Sequence, residues 1–147
     1  MKEFIVSEEL KELAEEIIKT EKIDIGNANI GYLLVSPNIS KTIAGKCKRS
    51  GAEFKFFTNL NYLIEISEDI WNALDNEQRR ILLYHELMHI LVLINKSGDE
   101  VYKIRNHDVE DFAKIINKYG TDWISVIKNS ISSLHDLSPE AYDSIKI

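Results

Sequence analysis

Apolar and polar positions recur along this chain with two different periods, and the changes of period mark out its elements. Leu10, Leu13, Ala14, Ile17 and Ile18 follow the three-and-four spacing that lines one face of a helix. Ser7 precedes them as a cap, and Glu8 and Glu9 sit where the positive end of the helix dipole favours acids, so the pattern predicts a helix over residues 8–20. Gly26-Asn27 is a turn pair, after which residues 30–36 are rich in β-branched and aromatic side chains and stop at Pro37, the signature of a strand. Residues 41–49 and 52–58 flank Ser50-Gly51 as the two arms of a hairpin would, although Ala44-Gly45 weakens the first arm. A further short strand is expected at 62–66, so the predicted strands all fall within 30–66.

The second half of the chain reads as helical. Ser67-Glu68-Asp69 caps a turn carrying Ile70, Trp71 and Leu74, and Asp75 with Gln78 three residues on forms a capping box. From 77 to 95 the apolar positions Ile81, Leu82, Leu83, Leu87, Met88, Ile90, Leu91, Val92, Leu93 and Ile94 cover nearly the whole circumference of a helix, which places that helix at the centre of a fold. Ser97-Gly98-Asp99 is a break, and 101–105 is a short strand or an extended loop. A helix over 108–119 presents Val109, Phe112, Ile115 and Ile116 on one side and stops at Gly120. Trp123, Ile124 and Ile127 continue as a helical segment within 121–147, and Ser138-Pro139 leads into a tail that the pattern does not assign.

Candidate chemistry sits inside the most apolar of these stretches, at His85-Glu86-Leu87-Met88-His89. Two histidines four apart on a helix project from one face a turn apart, close enough for both imidazoles to reach one ion. Zinc suits neutral imidazole nitrogen and tolerates a protein ligand set that leaves room for water, while Glu86, offset around the helix, can face that water as a general base. Two histidines and a glutamate in a greasy helix are costly to bury unless something binds them.

A catalytic zinc needs a third protein ligand, and the chain has two other histidines, His107 and His135. His107 is the stronger candidate, because it stands where a helix-loop-helix return would bring it back to the motif. Asp108, Glu110 and Asp111 lie beside it and would ligate in its place, support an imidazole, or simply favour a helix start. His135, next to Asp136 in a polar stretch, reads as a surface residue. Tyr84, Tyr102 and Tyr119 are the pool from which an oxyanion donor would come, and nothing in the pattern chooses among them. An extended substrate would bind along a sheet edge, for which 62–66 is the candidate strand.

Composition narrows the partners. With 147 residues, of which 44% are apolar and 29% charged, the chain has the material for one domain with its own core. A net charge of −6 repels phosphate backbones and anionic membranes, so a protein or peptide substrate is expected rather than nucleic acid. Lys46, Lys48 and Arg49 form too small a basic group to reverse this and read as a solvated face. Cys47 is the one cysteine, which excludes an internal disulfide and a cysteine zinc ribbon. The opening Met1-Lys2-Glu3-Phe4-Ile5-Val6 lacks a signal-peptide core and 81–94 is too short to span a bilayer, so a cytoplasmic protein without a membrane anchor is expected.

Three segments taken together resemble a known family: Trp71 with the run from Glu77 through His85-Glu86-Leu87-Met88-His89 to Ile90, then Arg105-Asn106-His107-Asp108-Val109-Glu110-Asp111-Phe112, then Tyr119-Gly120-Thr121-Asp122-Trp123. They are similar to the phage and prokaryotic metallopeptidases related to the SprT-like zincins, over roughly residues 30 to 125. The resemblance implies a compact α+β zincin with a small, mostly antiparallel sheet and an active-site helix. It also implies one zinc held by three histidines, matching His85, His89 and His107, with Glu86 as catalytic acid and base. The chemistry expected is hydrolysis of a peptide carbonyl by a water on the zinc that Glu86 activates. Two other readings compete with it: a regulatory HExxH protease with an acidic third ligand such as Glu110 or Asp111, and a non-catalytic zinc-braced module that binds another protein.

Overall fold

The computed structural model describes residues 1–107, 113–120 and 122–147 of the chain. Strand β1 (Glu3–Val6) leads into helix α1 (Glu8–Thr20), whose first turn is closed by Ser7 Oγ accepting from the Leu10 amide at 3.1 Å. Strands β2 (Ile30–Ser36) and β3 (Gly45–Arg49) follow, then helix α2 (Ala52–Thr58), strand β4 (Tyr62–Ser67) and helix α3 (Glu68–Ala73). Helix α4 (Asn76–Leu87) opens on the Asp75–Gln78 capping box and precedes a hairpin of β5 (Ile90–Ile94) and β6 (Glu100–Ile104). Helices α5 (Ala113–Tyr119), α6 (Asp122–His135) and α7 (Pro139–Asp143) complete the described elements.

The architecture is α+β. Four strands form one sheet in the order β1-β2-β4-β3, with β1–β2 and β4–β3 antiparallel and β2–β4 parallel, and β5–β6 is a separate antiparallel pair. The apolar face of α1, with Leu10, Ala14 and Ile17 buried, packs on α4 and β2, and α6 closes over α3 and α4. Ile64, Ile66, Leu82, Leu83, Leu87 and Trp71 fill the space between. No helix among the described residues is long and apolar enough to cross a membrane.

Several elements differ from the sequence reading. The helix expected to run from 77 to 95 ends at Leu87, and its second half is strand β5. Apolar residues all around the circumference came from two elements read as one. Ile90, Leu91, Val92, Leu93 and Ile94 form a β-prone run that pairs with β6, and Gly98, at φ +84°, makes the turn between them. Residues 52–58 are a helix and not a hairpin arm: β3 takes its antiparallel partner from β4, farther along the chain, and 52–58 forms the helical connection between the two. Asn59 closes that helix in the left-handed conformation at φ +60°. The strand order removes 62–66 as a track for substrate, since β4 lies inside the sheet. Strand β1, absent from the sequence reading, is an exposed edge strand that adds to β2. Of the helix expected over 108–119, the described part is α5, and 108–112 lie outside the described residues.

Tyr62 ties the two sheets together. From the first position of β4 its hydroxyl donates to the Lys103 carbonyl at 2.8 Å and the Leu91 carbonyl at 3.1 Å, and its ring meets Tyr102 edge-on at 5.9 Å. Tyr62→Phe is expected to cost about 1 kcal/mol, because it removes the donor while leaving the ring packed. Urea denaturation of the two proteins checks this, and an unchanged midpoint would show that the hairpin is held by other contacts.

Candidate metal centre

The last turn of α4 carries His85 and Glu86, consecutive residues about 100° apart around the helix, both almost wholly buried. His89 follows the end of the helix. The backbone still turns there, with its amide bonded to the Glu86 carbonyl at 3.2 Å, so its ring falls back beside His85 at 5.3 Å between centroids. The β5–β6 hairpin then fixes His89 from the other side: its carbonyl accepts from the Arg105 amide at 2.6 Å, and its Nδ1 donates to the Arg105 carbonyl at 2.8 Å. A carbonyl only accepts, so the proton lies on Nδ1 and Nε2 keeps its lone pair.

The same turn of chain past β6 delivers His107. Its ring centroid is 4.6 Å from each of the other two, and its Nε2 is 3.0 Å from Nε2 of His89. One nitrogen from each of His85, His89 and His107 lies within 4.8 Å of the others, an arrangement that could hold a metal ion. The fit is chemical as well as geometric. Two nitrogens each bound to one tetrahedral zinc lie about 3.3 Å apart, and three imidazoles are a donor set that leaves a coordination position open. Asp108, Glu110 and Asp111, the acids named as alternative ligands, lie outside the described residues. His135 is elsewhere: its Nε2 is 3.2 Å from Asp69 Oδ2 and its side chain only 10% exposed, so it joins α6 to α3 and is not the open-surface residue expected.

Glu86 completes the group. Its Oε1 is 4.0 Å from His89 Nε2, while its Oε2 faces β3. A Cβ added at Gly45 would lie 3.0 Å from Glu86 Oε2 and 2.9 Å from Ile66 Cδ1, so the bare glycine is what lets strand and carboxylate approach this closely. From sequence Gly45 looked like a flaw in a strand. A glycine inside a strand pattern is itself a sign of close approach, and that is the signal by which it could have been found. Gly45→Ala is expected to move the Glu86 carboxylate by a few tenths of an ångström, and any reaction in which that carboxylate handles a proton should slow about 10- to 100-fold with the fold retained. Parallel assays of turnover and bound metal check this; a wild-type rate would mean that the carboxylate has room to spare.

A cleft of about 530 Å³ opens over these residues, walled by Cys47 of β3, Trp123 and Lys128 of α6, and residues 145–147. Trp123 stands with its ring 5.5 Å from that of His85. Burial, and then the Glu86 carboxylate, push the Cys47 thiol well up, so it stays protonated and serves as wall. Tyr84, Tyr102 and Tyr119 do not line the cleft. Tyr84 is buried against Tyr119, where burial and then Glu21 push its hydroxyl up to about 12, and Tyr102 donates to Glu100 at 2.7 Å.

Fold and site together define a small α+β domain whose cleft gathers three imidazoles and a buried carboxylate. The chain belongs to the family described as "Putative phage metallopeptidase", which matches residues 2–134. No curated protein and no solved structure matches it. A metallopeptidase implies a metal ion, and the three histidines of the cleft are residues suited to hold it.

Proposed function

We propose that this protein is a zinc-dependent peptidase in which His85, His89 and His107 hold one zinc ion and Glu86 is the catalytic acid and base. The observation that carries the reading is the convergence of the three imidazole nitrogens within 4.8 Å, with the Glu86 carboxylate beside them in the same cleft. Three neutral imidazoles favour zinc among the common divalent ions. When bound, the cation supplies Lewis-acid chemistry, making a water more acidic and a carbonyl more electrophilic.

The rest belongs to the chain. Glu86 takes a proton from the water that attacks a peptide carbonyl and returns it to the departing amine nitrogen. The Arg105 carbonyl holds His89 in the tautomer whose Nε2 is a donor of electrons, and Trp123 shields the His85 side of the cleft from bulk water. Lys46 and Lys128 line the same cleft and give it local positive charge for an approaching carbonyl or carboxylate. Hydrolysis of unfolded casein by the zinc-loaded protein, compared with zinc-loaded Glu86→Gln, tests the reading. Turnover that needs Glu86 supports it; equal behaviour of the two proteins favours a zinc-braced binding module instead.

A further inference from the structure

The cleft already contains a peptide. Residues 145–147 enter it from α7 and run parallel to residues 42–44, the stretch that leads into the free edge of β3. The Lys146 amide donates to the Thr42 carbonyl at 2.7 Å and the Ala44 amide donates to the Lys146 carbonyl at 3.1 Å, the pattern of a strand added to a sheet. Ile145 is 5% exposed and packs into the core, and Ile147 places its carbonyl oxygen 2.9 Å from His85 Nε2. All three residues line the cavity that also contains His89, His107 and Glu86.

We propose that residues 145–147 are an internal competitor for the peptide track of this cleft, held by strand pairing to 42–44 and by the Ile145 side chain, and displaced when a peptide substrate binds. The proposal rests on the reading of the cleft as a peptide site. A carbonyl oxygen at His85 Nε2 occupies the side of the imidazole cluster that a reacting carbonyl needs, so segment and substrate exclude one another. The occupant also describes the ligand: an extended segment with an aliphatic side chain two residues before the carbonyl that faces the histidines. The segment is held by two backbone hydrogen bonds to 42–44, the contact of the Ile147 carbonyl with His85 and the packing of Ile145 and Ile147, all non-covalent and confined to three residues. β4, the strand considered from sequence, is enclosed by its neighbours, whereas 42–44 offers an edge.

The test uses the full chain loaded with zinc and a fluorescein-labelled peptide Asp-Ser-Ile-Lys-Ile, the sequence of residues 143–147. Apparent affinity falls with the fraction of sites left open, so Ile145→Asp, which expels the anchor, is expected to bind the peptide at least about tenfold more tightly than wild type in fluorescence anisotropy. A peptide with Asp in place of its first isoleucine should bind neither protein. Equal affinity of wild type and variant, or no binding to either, overturns the proposal. If Ile145→Asp loses its circular dichroism signal, Lys146→Pro carries the same comparison with the same two outcomes, since it removes the amide that reaches Thr42 and constrains the segment while leaving the Ile145 side chain in place. Peptide binding by the variant without casein hydrolysis would leave the internal competitor standing and remove the peptidase reading; hydrolysis with equal peptide binding would do the reverse.

Discussion

Glu86→Gln is expected to retain zinc and fold while losing about 100- to 10,000-fold of its peptidase rate, the range over which general acid-base groups act. The amide keeps the size and shape of the carboxylate, so the close approach to Gly45 survives, but it cannot take up a proton at neutral pH. Zinc should remain, because the three imidazoles form the cluster without the carboxylate. The measurement is initial rate on unfolded casein with zinc content determined on the same samples. A variant that keeps its zinc and more than about a tenth of the wild-type rate would remove Glu86 from the role of base, since less than tenfold is below what such a group contributes.

His107→Ala is expected to weaken zinc binding by at least about 100-fold, because partners that merely support a ligand already account for 10- to 100-fold and a ligand should exceed them. The loss should be local. His107 lies on irregular chain after β6, half-exposed, while the core is built from α1, α4 and the main sheet. Thermal melting without metal should therefore be close to that of wild type, and a competition titration against a zinc chelator should carry the whole effect. Unchanged affinity would transfer the third position to one of the acids at 108, 110 or 111. The same titration on Glu110→Ala and Asp111→Ala then identifies it.

How much of this was legible in the sequence depends on whether the signal was local. The Ser7 cap with its amphipathic face and the Asp75–Gln78 box lie at the starts of α1 and α4, because caps and periodicity act within a turn or two. The His85, Glu86 and His89 grouping was legible for the same reason, and position and resemblance both pointed to His107, although the β5–β6 hairpin brings it back and not the helix-loop-helix return expected. What failed depended on distant chain. The end of α4 at Leu87 was hidden because Ile90 to Ile94 satisfy a buried helix and a strand equally well, and only pairing with β6 decides. α2 stands where a hairpin arm was expected because β3 pairs with β4, a strand farther along the chain, which no local pattern announces. The close approach at Gly45 and the return of residues 145–147 to the cleft are tertiary contacts across about 40 and 100 residues of chain, with no periodicity to announce them.

The proposed chemistry needs one divalent ion shared by three imidazoles. Elemental analysis of the purified protein tests this most directly, run beside a variant with His85, His89 and His107 all replaced by alanine. The expected result is one zinc per chain in the first and none in the second. A wild-type chain without metal, or a variant that keeps its zinc, would contradict it.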